Sequence, residues 1–174
     1  MAARGAVKLA RTIRFDESDT NVFERAAQSG EWAVSGAFAF SNATEEQLAG
    51  KVRQAFSNGW LGLESFGRST FVAVSDLTEG ERDAAVMRLA AHLVTVYGAP
   101  DLDAALPAAE EEIAFMADLC AEHAPNTLLI VERSLETSGV REAFRFIRPS
   151  EADISDVLGA EAAAHAEDML KRDE

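Results

Sequence analysis

The segment between residues 58 and 70 carries the residue types best suited to binding chemistry. It reads Asn-Gly-Trp-Leu-Gly-Leu-Glu-Ser-Phe-Gly-Arg-Ser-Thr, with three glycines, two aromatic side chains and one acid–base couple. Five of its side chains are candidates for ligand or partner binding: Trp60, Glu64, Phe66, Arg68 and Ser69. The two rings could wall a pocket in which Arg68 contacts an anion and Glu64 acts as an acid or base. Alternatively, the rings cap the core and the glycines merely permit the turn.

Other reactive side chains have structural interpretations beside the chemical ones. Cys120 lies on the apolar stripe of a predicted helix, which is typical of a buried small side chain. The alternative is a reactive thiolate that draws charge from His123, three residues later on the helix. His92 flanks a second apolar stripe, so we expect it to be half-buried. The run Glu110–Glu112 fits a helix first turn, where carboxylates complement the macrodipole, or an acid/base or metal role.

The arginines at 141, 145 and 148 stand in the second strand of a predicted hairpin. Most such positions are solvated. Guanidinium groups can also bind a carboxylate or phosphate with two parallel hydrogen bonds. The edge of this hairpin could pair with a second copy of the chain in a dimer.

Several familiar signatures are absent from the sequence. It contains no dinucleotide or phosphate-loop glycine motif, no Cys-x-x-Cys and no His-Glu-x-x-His. With one cysteine and three scattered histidines, a structural zinc site is not expected. We therefore predict no metal, no cofactor and no catalytic residue, and we leave open whether the protein is an enzyme.

Composition and charge narrow the classes of partner and compartment. The 174 residues are 48% hydrophobic and 26% charged, as in ordinary globular proteins. The net charge is −14, which disfavours nucleic acid and anionic membrane as partners. No apolar run approaches the roughly 20 residues of a membrane span, and no signal peptide is visible. A single cysteine fits a reducing compartment, so we expect a cytoplasmic protein.

The coarse order of elements predicts an α+β fold, with a mainly antiparallel sheet of about five strands and helices on one face. The predicted strands are 7–15, 31–40, 69–76 and a hairpin at 127–148. Thr44–Gln47 and Thr78–Glu81 read as capping boxes that begin two helices, and Gly36 as a close approach or bulge. A third helical stretch, 102–123, is expected to divide at Pro107. We assign 1–149 to a single domain and 150–174 to a C-terminal helical tail.

Three stretches resemble a family of small alphaproteobacterial proteins known only as a domain of unknown function. They are Ala10–Asp19 with Asn21–Ala27, Gly30–Phe40 and Asn58–Phe71. The resemblance covers roughly residues 7–148, with the tail outside it. It implies a bacterial, cytoplasmic setting, and it brings no activity, cofactor or catalytic residue.

Two functions from different classes follow. The first is a non-catalytic accessory or assembly protein that acts through protein–protein contacts, including self-association as a possible homodimer. The alternative is a small-molecule-binding protein or enzyme with a pocket around residues 58–70. The observation that discriminates between them is whether Glu64 and Arg68 converge on a closed cavity or splay outward.

Overall fold

The computed structural model describes residues 7–14 and 17–148. Seven strands form one sheet of order β4-β3-β2-β1-β5-β6-β7, and every neighbouring pair is antiparallel. The elements are β1 Val7–Ile13, α1 Ser18–Val22, β2 Trp32–Val34, a 3₁₀ helix Ala37–Phe40, α2 Gly50–Asn58, β3 Trp60–Gly62, β4 Arg68–Ser69, β5 Phe71–Leu77, α3 Glu79–Tyr97, α4 Leu102–Cys120, β6 Leu128–Glu136 and β7 Gly139–Ile147. The predicted α+β class with an antiparallel sheet is confirmed, but the sheet has seven strands rather than about five.

The additional strands, β3 and β4, come from the segment expected to be a loop or ribbon. They pair tightly, with Trp60 opposite Ser69 and Leu61 opposite Arg68. The outer side of β4 is covered by the chain around Ala26, which forms a parallel bridge with Arg68. This end of the sheet is therefore closed.

The predicted strand 31–40 is wrong beyond Val34. Gly36 adopts φ +78°, a left-handed conformation that ends the strand, and the chain continues as the 3₁₀ helix. A Cβ at this position would lie 2.6 Å from both Arg68 Nη1 and Leu61 Cβ. The close approach predicted at Gly36 is therefore confirmed, and it is an arginine that approaches.

Only one of the two predicted capping boxes begins a helix. Thr78 Oγ1 accepts from the Glu81 backbone N–H, and the Glu81 carboxylate accepts from the Thr78 N–H, at the start of α3. Thr44 makes just a single turn with Gln47, and α2 begins later, at Gly50. The end of α2 at Asn58 and the end of α3 at Gly98 are as predicted.

Helix α4 runs through Pro107 without a break, so the predicted division there is wrong. Its start is capped by Asp101, whose carboxylate accepts from the Ala104 N–H at 2.8 Å. Five buried residues on one face hold the helix in the core: Ala105, Ala109, Ile113, Met116 and Cys120. Burial of this stripe outweighs the one hydrogen bond that proline removes.

The main core lies where α4 packs against β1 and against α3. Alternate residues of β5 and β6, such as Val72 and Leu129, face this core. A smaller apolar cluster, which includes Ala73 and Leu128, occupies the opposite face of the same strands.

The hairpin predicted at 127–148 is confirmed as β6 and β7, joined through Thr137 and Ser138. The predicted helical tail, 150–174, lies outside the described residues. Among the helices that are described, none is long and apolar enough to cross a membrane.

Candidate functional site

The segment 58–70 has an inner and an outer side. Trp60 is fully buried, and its ring stacks on Phe144 with centroids 5.8 Å apart. Ser69 is also buried, and its hydroxyl donates to the carbonyl of Phe71 at 2.7 Å. These two candidates form part of the core, as in the structural interpretation of the segment.

A buried carboxylate fixes the turn between β3 and β4. Glu31, only 2% exposed, accepts hydrogen bonds from the backbone N–H groups of Glu64 at 2.9 Å and Ser65 at 2.8 Å, and from the Ser65 hydroxyl at 2.7 Å. It also accepts from the Gln28 N–H at 2.6 Å. Sequence reasoning missed Glu31, because nothing in a lone acid beside Trp32 indicates which distant backbone groups it binds.

The outer side of the turn faces α3 across a groove of about 180 Å³. Glu64 is exposed in its wall. The other lining residues are Trp32, Leu63, Glu81, Ala84, Ala85 and Arg88. The guanidinium of Arg11 lies 3.9 Å from the centroid of the Trp32 ring, at one side of the groove.

Phe66 fixes the turn against α3. It adopts φ +56°, which is uncommon for a residue with a bulky side chain, and its ring stacks on His92 at 3.7 Å between centroids. His92 is half-buried, as predicted. Burial, together with the positive charges of Arg25 and Arg68, lowers the pKa of His92 below its ordinary value.

Arg68 points inward, away from Glu64. The residue is 8% exposed, and its guanidinium donates to the carbonyl oxygens of Gly59 at 3.1 Å and Gly36 at 3.2 Å. Within the described residues, no carboxylate lies within ion-pair distance of it. Burial, and next the charge of Arg133, lowers the pKa of Arg68 to about 9, so the group is still cationic at neutral pH. The two charged candidates therefore do not converge on one cavity.

A second buried arginine, Arg133, completes this cluster and was not among the predicted residues. Its Nη1 donates to the carbonyls of Phe56 at 2.8 Å and Gly59 at 2.9 Å at the end of α2. Nη2 donates to the Ser35 carbonyl, and Nε donates to Glu142 at 3.0 Å. One side chain thus ties together β2, α2, β6 and β7. A cation at the last carbonyls of a helix also complements the helix dipole.

The sequence did contain a signal for Arg133. Alternate residues of β6, namely Leu129, Val131, Arg133 and Leu135, share one face, and three of them are apolar. A charge in the middle of such a face requires buried partners. Where those partners come from cannot be read from the strand alone.

Two other candidates are resolved by burial. Cys120 is fully buried, and burial raises the pKa of its thiol to about 12, so the buried interpretation is confirmed. Glu112 lies in the middle of α4 rather than in a first turn, so the helix-dipole explanation of Glu110–Glu112 is wrong. Burial, and next the charge of Glu142, raises the pKa of Glu112.

The hairpin arginines lie on the surface. Arg141 approaches Glu136 at 3.6 Å and Arg145 approaches Glu132 at 3.5 Å, in exposed cross-strand pairs. Close by, Phe146 is 38% exposed and stacks on His123 with centroids 3.9 Å apart.

Comparison with known proteins gives a family and no function. No curated protein and no solved structure matches the chain. The family match spans residues 7–167, so it extends past residue 148, where the resemblance was expected to stop. This chain belongs to the family of unknown function DUF6505.

Proposed function

We propose that this protein is a non-catalytic accessory or assembly protein that acts through protein–protein contacts, and that its first partner is a second copy of itself. The observation that carries the proposal is the position of β7. This strand of nine residues ends the sheet, and its outer side pairs with no other strand in the part of the chain that is described. Unpaired N–H and C=O groups along such an edge are a template for another strand.

Exposed aromatic rings extend this surface from the strand onto α4. Phe146 is 38% exposed and Phe115, on α4, is 44% exposed. Both lie beside Phe144, whose ring centroid is 5.8 Å from that of Phe115. Aromatic side chains are enriched in the centres of protein interfaces, so this patch suits contact with a partner.

The charge of the hairpin supports a second copy as that partner. The chain carries −14, but residues 128–148 hold four arginines and three glutamates. Arg141 and Arg145 already neutralise glutamates on β6. Two copies of an acidic protein repel each other least where the local charge is close to zero.

A two-fold pairing of β7 with β7 is compatible with its side chains. If the antiparallel pair is centred on Phe144, Arg145 faces Ala143 of the other copy and Arg141 faces Ile147. No two arginines then lie directly opposite each other, so the like-charge penalty is avoided.

Sedimentation equilibrium tests the proposal. We expect wild-type protein to approach twice 18.7 kDa with rising concentration. Phe146→Glu should weaken the dimer by about tenfold or more, since it places two like charges near the two-fold axis. Met87→Glu is the matched control, because Met87 is 45% exposed on α3. A wild type that stays monomeric at its highest soluble concentration would refute self-association, and equal dimerisation of both variants would refute this surface.

The groove beside Glu64 supports a narrower form of the second candidate, a small-molecule-binding protein or enzyme whose pocket around residues 58–70 uses Glu64 without Arg68. Its walls carry both signs of charge, with Glu64 and Arg88 exposed to solvent. Such a groove suits a small zwitterion. Titration with free amino acids, followed by the amide NMR signals of Ala84 and Ala85, tests this. Shifts that disappear in Glu64→Gln would support it, and the absence of any shift would remove it.

A further inference from the structure

A larger cavity, of about 400 Å³, lies between the 3₁₀ helix, the turn that precedes α2 and the end of α3. It is lined by Phe38, Ala39, Phe40, Ser41, Asn42, Ala43, Gln47, Leu48, Val52 and Tyr97. No charged side chain is among them, although the chain as a whole is strongly acidic. The volume is within the range of small-molecule sites, roughly 300–1,000 Å³.

The cavity has aromatic walls and an incomplete apolar lining. Phe38 meets Tyr97 edge-on, with ring centroids 5.2 Å apart. Tyr97 is 46% exposed and Val52 is 37% exposed, so both present apolar surface to solvent at the site. Ser41 and Asn42 supply polar groups at the rim. A few polar groups on an apolar wall are the usual composition of a ligand pocket.

Arg68 places a buried positive charge behind one wall of this cavity. Its Cζ lies 4.9 Å from the ring centroid of Phe40, which lines the cavity while Arg68 itself does not. The guanidinium is buried, and its two hydrogen bonds go to the carbonyls of Gly36 and Gly59. No carboxylate among residues 7–14 and 17–148 lies within ion-pair distance of it.

A buried cation of this kind attracts an anion more strongly than a surface cation does. Solvent and salt screen a buried charge only weakly, while the net negative charge of the distant surface is screened over about 8–10 Å. The neighbouring Arg133 adds a second positive charge, but that one is paired with Glu142. Beside the lining residue Leu48, Arg53 donates to the Leu48 carbonyl at 2.9 Å and pairs with Glu45, so these two charges largely cancel. The buried charge of Arg68 therefore favours a negative group at the cavity.

We propose that this cavity binds a small organic carboxylate, whose apolar body lies between Phe38, Val52 and Tyr97 and whose carboxylate lies toward the Phe40 wall. An aromatic or short aliphatic acid fits both the lining and the charge. The site is separate from the β7 edge and does not depend on dimer formation.

The test compares two probes of nearly the same shape that differ in charge. 4-Phenylbutyrate and its neutral amide are titrated into the wild-type protein, and the backbone NMR signals of Ser41–Ala43 and Gln47 report binding. We expect the carboxylate to bind about tenfold more tightly than the amide, through attraction to a nearby buried positive charge without a direct hydrogen bond to it. Equal binding of the two probes, or no shift at these signals with either probe, would overturn the proposal.

Two tryptophan substitutions locate the site. Val52→Trp fills the cavity from α2 and should abolish the shifts caused by phenylbutyrate. Met87→Trp adds the same side chain at a similarly exposed position that does not line the cavity, and binding should be unchanged. If Val52→Trp, with its fold intact by circular dichroism, binds the acid as the wild type does, the cavity is not the site. Neither variant alters the buried arginines that hold the fold together. Circular dichroism distinguishes loss of the binding site from loss of the fold.

Discussion

Replacing Arg133 by methionine tests whether the buried arginine cluster holds the fold together. The substitution keeps a long, flexible side chain and removes the charge and all five N–H donors. It leaves the carbonyls of Phe56 and Ser35 without their arginine donor, and Glu142 without its positive partner. The Gly59 carbonyl keeps its hydrogen bond from Arg68.

The expected cost follows from this list of partners. Breaking a buried ion pair by removing one member costs about 3–5 kcal/mol, and each buried acceptor left unpaired costs about 1–3 kcal/mol. Two effects reduce the sum: Glu142 is 18% exposed and can regain water, and Arg68 loses a repulsive neighbour. We therefore expect a loss of about 4 kcal/mol, a large part of the roughly 5–15 kcal/mol that stabilises a domain.

Urea denaturation at one fixed protein concentration measures this loss. The fluorescence of the two tryptophans reports unfolding, and one of them, Trp60, is fully buried and adjacent to Gly59. With a slope of about 2 kcal/mol per molar urea, the midpoint should fall by about 2 M.

Arg82→Met is the matched control, away from the β7 edge. Arg82 also pairs with a glutamate, Glu110, but the two side chains are 24% and 49% exposed. Such surface pairs contribute about 0–1 kcal/mol. The usual error of extrapolation to zero urea is on the order of 1 kcal/mol. If the free energies of unfolding of the two variants differ by less than this, the argument for the buried cluster fails.

Three further outcomes are expected. Gly36→Ala should destabilise the fold by about 1–3 kcal/mol more than Gly98→Ala, because both glycines have nearly the same positive φ but only Gly36 lacks room for a Cβ; equal losses in urea would contradict this. Because the pKa of Glu112 is raised in the folded protein, Glu112 ionises first in the unfolded chain as the pH rises above about 4.5. The free energy of unfolding therefore falls as the pH rises from there. Glu112→Gln should be more stable than wild type at pH 7 and not at pH 4. If the stabilities of the two proteins change in parallel with pH, this role of Glu112 is wrong. Cys120 should react with a thiol reagent only upon unfolding, and rapid modification of the native protein would refute its burial.

Local patterns predicted those elements whose stabilising contacts are also local. The capping box at Thr78 and the hairpin at 127–148 form from neighbours in sequence, and both are observed. The box at Thr44 has the same residue types, yet α2 begins five residues after it was expected to start, because residues 44–48 form only separate turns and Ala49 is extended before the helix begins. Propensity indicated a helix in this region but did not fix its first residue.

The remaining errors come from contacts between distant residues. Alternation of bulky and small residues favoured a strand through residue 40, but the Arg68 side chain occupies the space beside Gly36, and the strand stops there. In the segment 58–70, the residue types indicated a pocket, whereas Glu31 holds the turn so that Glu64 and Arg68 face opposite ways. Neither effect is visible in a window of ten residues.

The partners of Arg133 also constrain the order in which the chain can fold. Ser35 and Arg133 are 98 residues apart, and the last carbonyls of α2 accept hydrogen bonds from the same side chain. During synthesis, the first 130 or so residues therefore leave the ribosome without the group that satisfies these carbonyls, and β5 is still without β6 on one side. Folding is expected to be late and governed by the C-terminal hairpin, which makes the nascent chain dependent on remaining soluble until residue 133 has emerged.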